Sequence, residues 1–254
     1  LHNNLKTLQK MKKLGIFAAL LFLIIAVTQT RSQTVDEIID NHVKAMGGMD
    51  KLMALKSVKF TGKFSGGGFE VPVTLVLKRK DKMRMDITFQ GNSQVQAYDG
   101  TTAWQINPWT GKKDPEKMPK EAEKQMRLQS DIEGRLVNYK DKGCKVELMG
   151  KEDMEGSEVY KLKMTDSDGD VTYYFLDTQS YLILKETSKT KVKEKEINSE
   201  TIYGNYQQVE GITFPMALEF REVGSQEGQK GIMEKVELNV EVDDSYFTMP
   251  ESGK

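Results

Sequence analysis

Residues 69–89 read FEVPVTLVLKRKDKMRMDITF. Phe69, Val71, Val73, Leu75 and Leu77 fall on alternate positions; after a charged break, so do Met83, Met85, Ile87 and Phe89, against Arg84, Asp86 and Thr88. Successive strand side chains point to opposite faces, so this period of two predicts an antiparallel pair with one face on a core and the other in water. Upstream, Val58, Phe60, Gly62 and Phe64 keep the same period. Downstream it returns in Val146 and Leu148, Val159 to Met164, Val171 to Leu176, Tyr181 to Thr187, Ile212 to Phe220 and Ile232 to Val242. Turn signals separate the runs: Gly66-Gly-Gly68, Asp99-Gly100, Asp168-Gly169, Asp177-Thr-Gln-Ser180 and Gly224 to Gly231. Asp-Gly between alternating runs is a strong hairpin signal. The expectation is a mainly β chain with minor α, a single antiparallel sheet of about ten strands that follow one another as a meander.

Two stretches break the pattern. Thr34-Val-Asp-Glu37 has capping-box spacing, and Val35, Ile38, Ile39, His42, Val43 and Met46 follow at helical intervals as far as Gly47-Gly48. A further turn is expected from Asp50 to Leu55. Within residues 113–143, Glu121 to Leu128 and Asp131 to Tyr139 predict one or two short helices, an insertion between the strands. The charged Lys189 to Glu200 stretch predicts a solvated strand pair.

Ahead of the fold, Met11-Lys12-Lys13, the apolar run Leu14 to Val27 and the small residues Thr30 and Ser32 have the make-up of a secretory signal peptide. The run falls short of the roughly 20 residues that a bilayer requires. Residues 1–10 precede the expected start at Met11, and cleavage is expected after Ser32, with Thr28 as the other candidate. The domain is then residues 33–254. No cysteine follows either cut to carry a lipid, so the expected product is exported to the periplasm and soluble. Its one thiol, Cys144, has no partner for an internal disulfide. Removing residues 1–32 takes away five basic and no acidic side chains, moving the formal charge from −1 to −6. An acidic surface argues against nucleic acid as a partner.

Reactive constellations are sparse. His42 is the mature chain's sole histidine and lies on an apolar helix stripe, which favours a buried structural role over a metal site or triad. Asp166-Ser-Asp-Gly-Asp170 resembles half a calcium loop, but aligning Gly169 with the EF-hand glycine puts Met164 and Phe175 at ligand positions, so a hairpin turn is expected. Gly66-Gly-Gly68 lacks the Gly-Lys-Ser/Thr of a phosphate loop. No catalytic residue, metal or cofactor is expected.

Apolar excess is what stands out. Phe60, Phe64, Phe69, Met83, Met85, Phe89, Trp104, Ile106 and Trp109 crowd the first strands. Large sheets curl, and two small helical pieces cover little of one this size, so an apolar trough should remain on its inner side. Its expected lining is Phe60, Phe64, Val71, Val73, Leu75, Met83, Met85, Ile87, Phe89, Trp104 and Ile106. Methionine suits irregular ligands because its unbranched thioether repacks easily. Met83→Glu is expected to weaken ligand binding in the trough while leaving the fold intact.

In order, Leu77-Lys-Arg79-x-x-x-Met83-Arg-Met85, Tyr98-Asp-Gly100-x-x-x-Trp104 and Asn107-Pro108-Trp109 resemble the periplasmic outer-membrane lipoprotein-sorting proteins, the LolA-like carriers. Ile38-Ile-Asp-Asn-His42-Val-Lys-Ala-Met-Gly-Gly48 is similar to a variant opening of that family. The likeness covers residues 34 to 111. It implies an unclosed half-barrel whose concave apolar face, lidded by the N-terminal helix and the insertion, shields lipoprotein acyl chains on the way to the outer membrane. It further implies a monomer working between an inner-membrane release complex and an outer-membrane acceptor. In the family an arginine at the end of the basic strand holds the lid; Arg79 occupies that place, with Ile38, Ile39 and His42 as the lid side of the contact. Lys80 stands where the family carries proline. A non-transporting sensor or interaction module of the same fold is the alternative; a hydrolase would need a polar triad that the mature chain's lone histidine and lone cysteine do not supply.

Overall fold

The computed structural model describes residues 33–192 and 195–251; the expected signal segment, residues 1–32, lies outside them. Helix α1 spans Val35–Ala45 and α2 spans Met49–Ala54. The capping box at the start of α1 is complete: Thr34 N–H donates to Glu37 Oε2 at 2.8 Å, and Glu37 N–H donates to Thr34 Oγ1 at 3.2 Å.

Strands β1 (Ser57–Gly66), β2 (Phe69–Lys78), β3 (Lys82–Phe89), β4 (Asn92–Tyr98), β5 (Ala103–Asn107) and β6 (Lys112–Lys117) form a first meander. Helix α3, Lys120–Gln129, follows. The second meander is β7 (Lys145–Met154), β8 (Ser157–Thr165), β9 (Val171–Asp177), β10 (Ile183–Val192), β11 (Lys195–Val209), β12 (Ile212–Glu222) and β13 (Gly228–Leu238). Pairing of β1 with β13 fuses the two into one antiparallel sheet, ordered β6-β5-β4-β3-β2-β1-β13-β12-β11-β10-β9-β8-β7. The sheet is not closed: it is a half-barrel with helices.

Among the described residues there are thirteen strands rather than about ten. Those missed by the pattern have no apolar alternation to show. Strand β6, KKDPEK, is a polar edge carrying a proline, as edge strands do. The expected helix over Asp131–Tyr139 is instead a run of turns in which Gly134 (φ 85°) and Asn138 (φ 51°) are left-handed. The loop after β2 explains the lysine at position 80. Lys80 has φ 33° and Asp81 φ 57°, and proline, locked near −65°, cannot take that shape.

Since β6 and β7 are opposite edges of the sheet, the chain between them, residues 118–144, must travel from one edge to the other. It does so over the concave side. Ile38, Ile39 and Val43 of α1, Leu52 of α2, and Leu136, Val137 and Tyr139 of the crossing share one core with Val58, Val73, Val146, Leu162, Leu176, Phe214 and Val236 of the sheet. Met126 of α3 seals a second cluster with Leu77, Met83, Tyr98 and Ala103. At the sheet's centre β1 and β13 approach very closely. A Cβ at Gly62, beside a bulge, would stand 2.1 Å from the Ile232 carbonyl oxygen.

Candidate lipid-binding hollow

Register decides what faces inward. Phe60 pairs with Leu75, Gly62 with Val73, Phe64 with Val71 and Gly66 with Phe69. Val73 then pairs with Ile87, Leu75 with Met85 and Leu77 with Met83. One apolar face thus runs through β1, β2 and β3, and the helices cover only part of it. Val73 and Met83 (3 % exposed) are buried in the two core clusters. Phe60, Leu75 and Met85 pack at the margin of those clusters, Phe60 edge-on to Phe214 at 5.6 Å.

Beyond that margin the face is open. A hollow of about 470 Å³ is walled by Phe64, Ser65, Gly66, Phe69, Val71, Ile87, Phe89, Trp109 and Gln229. That volume lies within the roughly 300–1,000 Å³ range of small-molecule sites. Four of the expected lining residues wall it: Phe64, Val71, Ile87 and Phe89. Its rim is aromatic. Phe69 meets Phe89 at 5.5 Å and Phe89 meets Trp109 at 6.4 Å, both edge to face, while Phe69 is 62 % and Trp109 46 % exposed. The Phe64 ring lies over Gly231, where any Cβ would come within 2.6 Å of it. Large apolar rings held half in water are costly unless something covers them.

Two expected lining residues face the other way. Tyr98 pairs with Ala103 and Ala97 with Trp104, so Ala103 is concave and Trp104 convex. Trp104 is 1 % exposed, its indole N–H donating to the Phe247 carbonyl at 2.7 Å. With Val95 and Ala97 it forms a separate cluster against which Ile106 and Met249 pack. Arg84, on the same face, lies 4.3 Å from the centre of the Tyr246 ring. The C-terminal residues after β13 therefore cover this end of the sheet from outside. The sequence hid this because β5 does alternate, Trp104 and Ile106 against Gln105 and Asn107, but its apolar face is the outer one, covered by a C-terminal segment far away in the chain. Met83→Glu is corrected on similar grounds: it would place a charge in a closed core, not in the hollow.

The lid is held by polar contacts. From the loop after β2, Arg79 reaches three oxygens: Nε donates to Leu55 O at 2.6 Å, Nη2 to Leu52 O at 2.8 Å and Nη1 to Glu133 Oε2 at 3.0 Å. Two are carbonyls at the C-terminal end of α2, a position that favours a cation; the third belongs to the crossing. Lys142 joins Asp131 at 2.6 Å. On α3, Lys124 sits among Asp168 and Asp170, both at 2.7 Å, and Asp166 at 3.7 Å. Burial opposes the Lys124 charge, but the bonds to Asp168 and Asp170 outweigh it and its pKa is raised. The aspartate-rich segment is thus the β8–β9 hairpin turn, with an ammonium among its carboxylates. Among the described residues no cluster of three or more histidine, cysteine or acidic side chains is arranged to hold a metal.

Ile38, Ile39 and His42 are buried on α1, while the hydrogen bonds of Arg79 go to Leu52, Leu55 and Glu133. The His42 Nδ1–H donates to the Tyr181 carbonyl at 2.8 Å. Burial lowers its pKa, with that bond opposing the shift. Residues of the hollow that the expected lining lacked are Phe69, Trp109, Gly66, Ser65 and Gln229. Phe69 was visible only as part of the aromatic excess, whereas Trp109 was expected at the rim of the cavity or in the adjoining turn and lies in the turn after β5, at the rim.

No family model and no curated protein matches the sequence. Solved structures do match its fold. A LolA superfamily protein from Nitrosomonas europaea superposes with a TM-score of 0.57 at 14 % identity, over 85 % of this chain and 98 % of that one. A DUF1329 family protein from Desulfovibrio piger gives 0.56 at 13 %, over 85 % and 98 %. A putative outer membrane lipoprotein-sorting protein domain from Vibrio parahaemolyticus gives 0.55 at 12 %, over 83 % and 94 %. The fold is LolA-like. Among the described residues no helix is long and apolar enough to cross a membrane.

Proposed function

We propose that this protein is a non-catalytic periplasmic carrier, exported by a signal peptide within residues 1–32, with residues 33–254 forming the domain that shields the acyl chains of a lipoprotein, or of another lipid, on the way to the outer membrane. The observation that carries this reading is the open, aromatic-rimmed hollow on the concave face of a LolA-like half-barrel. Each methylene taken from water there contributes about 0.8 kcal/mol, so even part of one chain outweighs a few hydrogen bonds. A monomer handing its cargo from an inner-membrane complex to an outer-membrane acceptor fits a hollow that stays open at one end. Native mass spectrometry of protein purified without detergent tests the proposal. Co-purified phospholipid or acylated peptide supports it; repeated absence of lipid, with no uptake of a fluorescent fatty acid, refutes it.

One observation favours a non-transporting sensor or interaction module. Ile38, Leu52, Leu136 and their neighbours fill the middle of the concave face, leaving less room than an empty trough would. That reading predicts capture of a protein partner in the absence of any lipid.

A further inference from the structure

The concave face has a second, polar floor. Across β9, β10, β11 and β12 the register aligns Tyr174 with Glu186, Glu186 with Thr201, and Thr201 with Phe220. Phe220 in turn meets Phe64, a wall of the hollow, at 6.1 Å. One step further along the strands, Ser188 pairs with both Thr172 and Ser199, and the two serine hydroxyls lie 3.2 Å apart. These residues share the inner face: Arg135, on the crossing above, donates to Thr172 Oγ1 at 3.1 Å. Strands lie about 4.8 Å apart, which puts Glu186 roughly 10 Å from Phe220, within reach of a single amphiphile lying along the hollow.

Glu186, Ser188 and Thr201 are each half-buried, so this polar row keeps some exposed surface inside a face otherwise built for apolar contact. The known partner of Glu186 is the Tyr203 hydroxyl. Burial pushes the Glu186 carboxyl above the usual range, opposed by the Tyr203 bond and by the field of Arg135. Burial likewise raises Tyr174 and Tyr203, so both phenols keep their protons. The charges narrow the ligand. Arg135, the cation beside the row, is engaged by Asp166 at 3.5 Å and Thr172 at 3.1 Å, so it is not free to hold a phosphate or fatty carboxylate, and its charge disfavours a second cation. Hydroxyls that both donate and accept are left to match hydroxyls.

We infer that the row around Glu186, Thr201 and Ser188 is a headgroup subsite that selects an uncharged, hydroxylated headgroup for the amphiphile whose chain occupies the aromatic hollow. The inference rests on the carrier reading and adds the class of lipid to it.

The test is displacement of an uncharged naphthylamine probe from the purified protein by monolauroylglycerol and by laurate, which share a chain and differ in headgroup, below their micelle concentrations. The glycerol ester should displace the probe at about tenfold lower concentration, the equivalent of one or two hydrogen bonds. Glu186→Leu should remove that preference while binding the probe as before; Glu186→Gln, which keeps an acceptor and the shape, should retain part of it and serves if the leucine variant does not fold. Equal displacement by both competitors in the natural protein, or a preference that survives the substitution, overturns the subsite and leaves the carrier intact. Failure of the probe to bind at all overturns the carrier reading and the subsite with it.

Discussion

Arg79 and Glu133 meet at 3.0 Å, joining the end of a sheet strand to the crossing segment while the same guanidinium holds the last carbonyls of α2. Arg79→Ala breaks all three contacts at once and leaves a carboxylate that is largely out of water. The expected cost is about 2 kcal/mol, read as a lower urea midpoint. Because the freed elements are the lid, an acyl probe should also leave faster. An unchanged midpoint would mean that α2 and the crossing are held by their apolar contacts alone.

The two tryptophans should report differently. Trp109 stands at the rim and Trp104 is sealed on the opposite face under Phe247. Binding of an acyl ligand should shift the emission of Trp109 and leave that of Trp104 alone, so that Trp109→Phe abolishes the response and Trp104→Phe keeps it. A response that follows Trp104 would put the ligand on the wrong side of the sheet.

Charge placed in the wall should separate binding from folding. Phe89 lines the hollow without belonging to the closed core, so Phe89→Glu should cut acyl-probe affinity by at least about tenfold, the loss of one or two buried methylenes or more, with little change in thermal midpoint. Met83→Glu, in contrast, should lower stability by several kcal/mol, as an unpaired charge in a core does. Circular dichroism melts beside probe titrations distinguish the two.

Stability should fall on mild acidification through His42. Its folded pKa is lowered by burial, below an unfolded value of about 6.5, so under that pH the unfolded chain binds a proton that the folded chain resists. Its contribution is present above the unfolded pKa and lost as the pH drops toward the folded one, at up to about 1.4 kcal/mol per pH unit. Urea melts at descending pH should show this slope in the natural protein and a flatter one in His42→Gln.

Much of the fold was legible because water and core alternate along β1, β2 and β3, and because Thr34 and Glu37 announce a helix start. What the alternation did not convey lies where that contrast is missing, in the polar edge β6 and the hydroxyl-rich β11, or where the apolar face is the outer one, as in β5 under the C-terminal residues. Trp104 and Ile106 were assigned inward for that reason. Inward-facing residues were identified for the first three strands, but how far α1, α2 and α3 would cover them depends on contacts between segments far apart in the chain. Hence Val73 and Met83 proved to be core, whereas Phe69, at the start of β2, and Trp109, in the turn after β5, stand at the opening. Glu186 carries no local mark; it becomes notable only once four strands are aligned.

The route from β6 to β7 makes residues 118–144 a bowstring across a bent sheet, fastened at both tips. Cutting it, for instance at an engineered protease site in the turns after α3, would free the two outermost strands to splay. The bow would then flatten, offering unpaired backbone to other chains, and such a nicked protein should self-associate although every strand remains present.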